Sequence, residues 1–258
     1  MSNDSQTDLA HANIGIVCAL PIELGAFLDR CEKVRKYSGG DFVFRGGFYG
    51  NAKIATVESG TGFARARRAT QALIEAHTPP WILSCGFSGA LISEMKVGNI
   101  AVGESIVDTH GQELACELNF PGDSDRGLYT GRILTADAIV RTVAEKQRLH
   151  NQFDAIAVDL ESLAVAQVVR DHGKQFMAIR TISDDMSADL PPEILSILGS
   201  TGSVRVGAAL GAIWKRPGSA KDMWRLREAA SQAAERLATF LDGIITQLYG
   251  SIHVDKDQ

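Results

Sequence analysis

The sequence predicts an α/β protein with three layers, α/β/α, built around a central, twisted mixed sheet. Short, uninterrupted apolar runs recur along the chain, as expected of strands that are buried on both faces. Several of these runs lead directly into a glycine or proline and then into a helical pattern, which is typical of strand–helix units. The chain has 258 residues, 45% of them hydrophobic and 22% charged, which is enough for one sizeable core.

The first half of the chain contains three strand-to-turn junctions of similar design. Residues 14–20 form the first apolar run, and Pro21 then opens a helix because its fixed φ suits the first helical position. The other predicted elements are a strand at 53–59, a glycine turn at 60–62, a helix at about 63–76, a strand at 81–85 and a loop at 86–90.

The second half alternates in the same way. Its predicted elements are strands at 99–103, 105–107, 155–158 and 176–182, a polar loop at 119–127, a helix after Glu161 with an apolar face, a glycine-rich stretch at 199–211 and an amphipathic helix at about 221–248. No internal repeat or linker divides the chain. We therefore expect one domain over 1–258, with a polar tail at 1–12 and a helical extension at 190–258.

Charge and cysteine content narrow the class of protein. The 31 acidic residues outnumber the 26 basic ones and there is no basic tract, so no nucleic-acid partner is expected. Four widely separated cysteines without a C-x-x-C pair are typical of reduced thiols. No window approaches about 18 consecutive apolar residues, and the N-terminus lacks a signal pattern. We expect a cytoplasmic protein without stable membrane insertion.

Three acidic residues, Glu23, Glu161 and Asp184, each follow closely after an apolar strand. Ligands of open α/β sheets bind beyond the carboxyl ends of the strands, so these acids are expected to share a crevice. Structural explanations also exist. Glu23 and Glu161 could complement helix dipoles, with Asp159 as the N-cap of the second helix. Asp184 and Asp185 place two like charges side by side, which is costly unless something uses them.

Other kinds of site have weaker support. Gly60-Thr61-Gly62 lacks the third glycine and the downstream acid of a dinucleotide-binding motif, so no cofactor is expected. Residues 86–90 are one position out of phase with the G-x-S-x-G motif, which leaves a serine hydrolase with Ser88 as nucleophile as an alternative. The six histidines show no ligand spacing, so no metal is expected.

Five ordered motifs resemble the nucleoside phosphorylase and nucleosidase superfamily. They are IGIVCALPIE at 14–23, GTG at 60–62, GFSGAL at 86–91 followed by KVGNI at 96–100, VDLES at 158–162 and RTISD at 180–184. The first block is most similar to the methylthioadenosine/S-adenosylhomocysteine nucleosidases. The tail, about 189–218, is similar to the hopanoid-associated phosphorylase branch, which acts on an adenosyl-bearing lipid. The resemblance implies a phosphorylase/hydrolase-like fold and, by analogy, a homo-oligomer.

The resemblance further implies cleavage of a purine N-glycosidic bond. Asp184 would be the general acid that protonates N7 of the leaving purine, and Glu23 would be the general base that activates water. Glu161 would hold the ribose hydroxyls and favour the cationic transition state. The remaining implied substrate-binding residues are Ser183, which orients Asp184, Leu160 beneath the sugar, and Asp159, Arg180, Phe87 and Gly89.

Water is the favoured nucleophile. A phosphate site needs cationic and donor-rich side chains, but Ser84 and Phe87 stand where related phosphorylases have arginine and Ser/Thr, and Glu23 would repel phosphate. One arginine of the run 65–68 could still point into the site, although a solvated helix face is the simpler interpretation. An adenosine-type purine nucleosidase is therefore expected. A phosphorylase and a non-catalytic nucleoside-binding protein stay open as alternatives.

The C-terminal part mixes basic and large apolar residues, namely Trp214, Lys215, Arg216, Met223, Trp224, Arg225 and Arg227. Such a mixture is compatible with contact with a membrane surface or with a greasy substrate tail. Packing of an amphipathic helix on the domain, or on a second subunit, is the alternative.

Overall fold

A computed structural model describes residues 11–116, 120–192, 194 and 220–254 of the chain. Within them, ten strands form one mixed sheet and five α-helices pack against it. The strands are β1 Ile14–Cys18, β2 Glu32–Gly39, β3 Phe42–Tyr49, β4 Ala52–Glu58, β5 Trp81–Ala90, β6 Ile100–Asp108, β7 Glu113–Ala115, β8 Leu128–Thr135, β9 Ala155–Asp159 and β10 Gln175–Asp184. The helices are α1 Pro21–Leu28, α2 Phe63–His77, α3 Val143–Phe153, α4 Ser162–Asp171 and α5 Ala220–Val254.

The sheet has an extended part and a closed part. In the extended part the order is β2-β3-β4-β1-β5, with β1 parallel to both β4 and β5. In the closed part, β5 pairs with β10, β10 with β6, β6 with β8, β8 with β9, and β9 returns to the end of β5. The short strand β7 lies against β6. The closure brings the carboxyl ends of β5, β9 and β10 together.

Alternate side chains of the central strands enter two different cores, which confirms the three-layer α/β/α prediction. On one face, Ile14 and Ile16 of β1 pack with α1 and α5. On the other face, Val17 of β1 packs with the apolar sides of α2 and α4. Because both faces are covered, every residue of β1 is buried, which explains why its sequence is apolar without alternation.

The last helix, α5, is part of the main core. Leu237, Leu241 and Ile245 are fully buried against α1 and the sheet. Arg30, just beyond α1, forms ion pairs with Glu235 and Asp242 of α5. No helix in the described ranges is long and apolar enough to cross a membrane.

Several local predictions were wrong. The predicted loop at 86–90 is the end of β5, because these residues pair with β10 and then with β9. The two predicted strands at 99–107 are one strand, β6, with an irregularity in its pairing between Gly103 and Ser105. The β2–β3 hairpin, β8 and α3 were not predicted. Strand β2 is exposed along its whole length, so its sequence carries no alternation of apolar and polar residues.

Some predicted features lie wholly or mainly outside the described residues. These are the polar tail, the glycine-rich stretch at 199–211, the tail that resembles the hopanoid-associated branch, and the basic and apolar side chains from Trp214 to Arg225. Within the predicted polar loop, Ser124–Arg126 form a short 3-10 helix whose N-terminus is capped by Asp123.

Candidate active site

A pocket of about 230 Å³ opens at the carboxyl ends of β1, β5, β9 and β10. Its lining includes Glu23, Phe87, Gly89, Asp159, Leu160, Glu161, Ser183 and Asp184, all of which were singled out in the sequence. Arg180, the other predicted residue, lines a smaller cavity of about 10 Å³ that shares Glu23 and Glu161 with the pocket. The three acids expected at strand ends therefore meet in one place.

Glu23 lies in the first turn of α1 and is almost completely buried. Its Oε2 accepts hydrogen bonds from the N–H groups of Ala19 and Leu20, both at 2.8 Å, and its Oε1 accepts one from the N–H of Phe87 at 2.9 Å. Burial raises the pKa of Glu23 because desolvation outweighs these hydrogen bonds. The carboxyl group therefore accepts hydrogen bonds from backbone N–H groups just before α1, and it is a stronger base than an exposed glutamate.

Gly86 leaves the space that the Glu23 carboxyl group occupies. A Cβ atom at position 86 would lie 2.7 Å from Glu23 Oε1, which is closer than such contacts allow. This explains a glycine in the middle of a buried strand, where glycine otherwise weakens the sheet.

Glu161 stands between β9 and α4, where its Oε1 accepts a hydrogen bond from the N–H of Gly62 at 2.6 Å. Burial, together with the charge of nearby Asp159, raises the pKa of Glu161 to about 8. At neutral pH this carboxyl group is therefore largely protonated, and it can donate as well as accept a hydrogen bond.

Asp159 and Arg180 form a buried ion pair behind the pocket. Asp159 Oδ2 accepts from Arg180 Nε at 2.6 Å, while Oδ1 accepts from Thr135 and from the N–H groups of Glu161 and Ser162. The oxygens of Asp159 are thus engaged with the protein, and they hold the start of α4 in place.

All five N–H donors of Arg180 are also in use. Besides Asp159, they reach the carbonyl oxygens of Ser84 and Ile179 and the hydroxyl oxygens of Ser84 and Ser162, at 2.8–3.1 Å. Arg180 therefore ties β5, β10 and α4 together and has no N–H left for an anion.

Asp184, at the end of β10, is held by two side chains. Its Oδ1 accepts from the hydroxyl of Ser183 at 2.9 Å, and its Oδ2 accepts from Lys146 Nζ at 2.6 Å. Sequence reasoning missed Lys146 because α3 itself was not predicted. The available signal was the three-residue spacing of Lys146 and Leu149, which places both side chains on the same side of a helix, and in α3 that side is buried.

Gly89, Leu160 and Phe87 shape the pocket without supplying charge. A Cβ atom on Gly89 would lie 3.0 Å from Asp184 Oδ2, so this glycine makes room for the carboxyl group. Leu160 is partly buried against a neighbouring apolar cluster. Phe87 contributes its backbone N–H to Glu23.

Ser88 is a lining residue that sequence reasoning considered only as a nucleophile. It lies inside β5, paired with Ile182, rather than in the strand–turn–helix junction that a nucleophile motif requires. Its buried Oγ has no hydrogen-bond partner among the described residues.

The arginines at 65–68 do not line the pocket. Arg65 donates from Nε to the carbonyl of Ser59 and lies over the ring of Phe42, while Arg67 and Arg68 are exposed. In the part of the chain that the structure describes, no group of three or more His, Cys, Asp or Glu side chains could hold a metal ion.

Comparison with solved structures shows the same fold. The methylthioadenosine/S-adenosylhomocysteine nucleosidase of Helicobacter pylori, in complex with butyl-thio-DADMe-Immucillin-A, superposes with a TM-score of 0.69 at 20% identity, covering 92% of this chain and 99% of the other. Futalosine hydrolase of the same organism gives 0.67 at 18% identity, covering 91% and 97%.

A third solved structure, the S-adenosylhomocysteine nucleosidase of Streptococcus pyogenes with 5-methylthiotubericidin, gives a TM-score of 0.65 at 20% identity, covering 92% and 98%. The sequence model of the phosphorylase superfamily matches residues 13–127 and 112–246, most of the chain. This protein therefore belongs to the phosphorylase superfamily.

Proposed function

We propose that the protein is a purine nucleosidase, which hydrolyses the N-glycosidic bond of an adenosine-type nucleoside to the free base and a ribose derivative. The observation that carries the proposal is the meeting of Glu23, Glu161 and Asp184 in one pocket at the strand ends. The three carboxyl groups are held by different partners, so each can have a separate task. Nucleoside ligands in the solved structures of similar fold agree with it.

Asp184 acts on the base in this mechanism. As the bond between N9 and C1′ breaks, its electron pair moves to the purine, which is a poor leaving group unless N7 receives a proton. Asp184 gives that proton. Ser183 and Lys146 hold the two carboxyl oxygens, so the acid is oriented before the substrate arrives.

Glu161 and Glu23 act on the sugar and on the water. Glu161 contacts the ribose hydroxyls, and because its carboxyl group can both donate and accept hydrogen bonds it orients the sugar for the reaction. Glu23 takes a proton from water while the water oxygen bonds to C1′. The small cavity of about 10 Å³ beside Glu23 is close to the minimum space that one water molecule needs.

Two features favour water over phosphate as the nucleophile. Phosphate has five heavy atoms where water has one, so it does not fit the small cavity as that cavity stands. The guanidinium in the cavity wall, Arg180, has all its donors engaged, and the neighbouring Glu23 is a carboxyl group that would repel phosphate when ionised.

The apolar part of the pocket lining suggests the type of 5′ substituent. It includes Ile22, Ile139, Val140, Leu190, Ile194 and Ala230. Such a wall favours an apolar group on the 5′ carbon, such as a methylthio group, over a phosphate or free hydroxyl. A cytoplasmic location and assembly into a homo-oligomer stay predictions.

Product analysis tests the proposed function directly. The purified chain is incubated with methylthioadenosine, S-adenosylhomocysteine, adenosine and inosine, with and without phosphate, and the products are separated by chromatography. We expect release of adenine and a free ribose derivative at the same rate in both buffers. Phosphate-dependent formation of ribose 1-phosphate would instead identify a phosphorylase. Tight binding without turnover would identify a nucleoside-binding protein.

A further inference from the structure

Lys146 is a completely buried lysine at the edge of the pocket. From α3 its ammonium donates to Asp184 Oδ2 at 2.6 Å and to the carbonyl oxygens of Asp184 and Asp185 at 3.2 and 3.0 Å. Three donors thus meet three acceptors, so the ammonium is fully satisfied by the protein. Lys146 does not line the pocket, so it reaches the site through Asp184.

Stability alone does not explain a lysine at this position. Removing an ammonium from water is unfavourable, and replacing a buried ion pair by apolar side chains is often neutral or stabilising. The next buried residue of α3, Leu149, shows that an apolar side chain suits this face of the helix. We therefore expect the ion pair of Lys146 and Asp184 to serve the chemistry of the site.

The surrounding structure is built to fit the pair. Gly89 of β5 leaves the space, because its Cβ would lie 3.0 Å from Asp184 Oδ2 and 3.4 Å from Lys146 Cε. The start of α3 is fixed as well: Thr142 caps it, and the N–H of Val143 donates to Asp189, beyond the end of β10. Lys146 and Asp184 therefore both lie on elements whose positions are fixed by other contacts.

We propose that Lys146 is a positioning residue for protonation of the leaving base: it holds the Asp184 carboxyl group in the single orientation that presents its proton to the purine. This inference rests on the proposed nucleosidase function. The ammonium fixes Oδ2 and the Ser183 hydroxyl fixes Oδ1, so rotation of the carboxyl group is restrained from both sides. In the ion pair Asp184 is ionised, so it first takes up a proton from solvent, while Lys146 keeps its own three protons. Asp184 then gives that proton to N7 and returns to the ion pair as the base leaves.

A double-mutant cycle in base-release kinetics tests the assignment. Lys146→Met keeps a long apolar stem but removes the ammonium, and Asp184→Asn removes the acid. We expect Lys146→Met to lower kcat about 10²-fold, within the range of general acid catalysis, with KM changed less than about threefold. In the Asp184→Asn background the same change should alter kcat by less than about twofold, because Lys146 acts through Asp184.

Leu149→Met is the matched control, since it repacks the same side of α3 without touching the ion pair. Its kcat should stay within about twofold of wild type. If Lys146→Met does not fold, as judged by circular dichroism, Lys146→Gln replaces it in the cycle.

Several results would overturn the assignment. The assignment is wrong if the Lys146→Met variant has the wild-type kcat, if only its KM changes, or if the Lys146 substitution lowers kcat equally with and without Asp184. A wild type that releases no base from any nucleoside refutes the proposed function, and this assignment with it. Normal wild-type turnover with an inactive Asp184→Asn variant and a fully active Lys146→Met variant refutes this assignment alone.

Discussion

Replacing Asp184 by Asn should remove the chemistry and also weaken the fold. The amide has almost the same shape as the carboxyl group, and its oxygen can still accept from Lys146, but it has no acidic proton for N7. General acid catalysis contributes about 10²–10⁴-fold, so kcat should fall by that factor, a barrier increase of about 3–5 kcal/mol. KM should change little, because the groups that surround the ribose are untouched.

The loss of stability follows from the contacts of Lys146. Its ammonium is fully buried, and Asp184 is the acidic side chain that pairs with it. The substitution leaves two carbonyl oxygens and an amide oxygen, all neutral, around a buried positive charge. A hydrogen bond to a charged group contributes about 1.5–3 kcal/mol, so Asp184→Asn should lower the free energy of unfolding by about 1–3 kcal/mol. Removing the ammonium as well, in Asp184→Asn/Lys146→Met, should restore most of it.

The assay combines base release, followed by chromatography, with urea unfolding of wild type, both single variants and the double variant. An Asp184→Asn enzyme that releases adenine at the wild-type rate would refute the general-acid role. If the double variant is less stable than either single variant, the uncompensated charge of Lys146 is not the cause of the lower stability of Asp184→Asn.

Four further predictions follow from the site. Glu23→Gln should lower the hydrolytic kcat about 10²-fold, since an amide cannot take a proton from water; activity restored by phosphate would contradict this. Gly86→Ala should reduce kcat by pushing the Glu23 carboxyl group aside, whereas Gly25→Ala, whose new Cβ meets nothing within 4 Å, should leave kcat unchanged. Ser88→Ala should retain turnover and raise the free energy of unfolding by about 1 kcal/mol, as an unpartnered buried hydroxyl is lost; abolished turnover would favour a serine nucleophile. Burial raises the pKa of Glu161 from 4.5 to about 8, so the protonated carboxyl group stabilises the fold fully below pH 4.5, and this stabilisation is lost as the pH rises through about 8. Urea unfolding between these pH values should therefore show a smaller decline in the free energy of unfolding for Glu161→Gln than for wild type.

Much of the sheet could be predicted from local patterns. Strands β1 and β9 are buried on both faces and their sequences are almost continuously apolar, while β4 and β10 are mainly buried and rich in apolar residues. Strand β2 lies at an edge with every residue exposed, and no local pattern marks it. The end of β5 was misjudged for a different reason: its glycines suggested a loop, but they serve close packing against Glu23 and Asp184.

The candidate site was predictable only in part. Glu23, Glu161 and Asp184 stand out because each lies at or just after the end of an apolar strand. Parallel pairing of β1, β5 and β10 brings Glu23 and Asp184 to one edge of the sheet. Glu161 joins them because β9 pairs antiparallel with the end of β5, which no local pattern predicts. Asp159 and Arg180 were placed in the substrate-binding set by resemblance. Their hydrogen bonds to each other and to α4 are long-range contacts that depend on which strands are adjacent.

The sequence by itself determined the α/β architecture, the buried strands with apolar sequences, and the three acids at strand ends, because these depend on residues close together in the chain. The tertiary structure alone decided that Arg180 has no donor left for an anion and that Lys146 meets Asp184, 38 residues away. Such contacts depend on strand pairing, on the closure of the sheet and on the position of α3. No local stretch of sequence specifies these, because they are fixed by how distant elements pack.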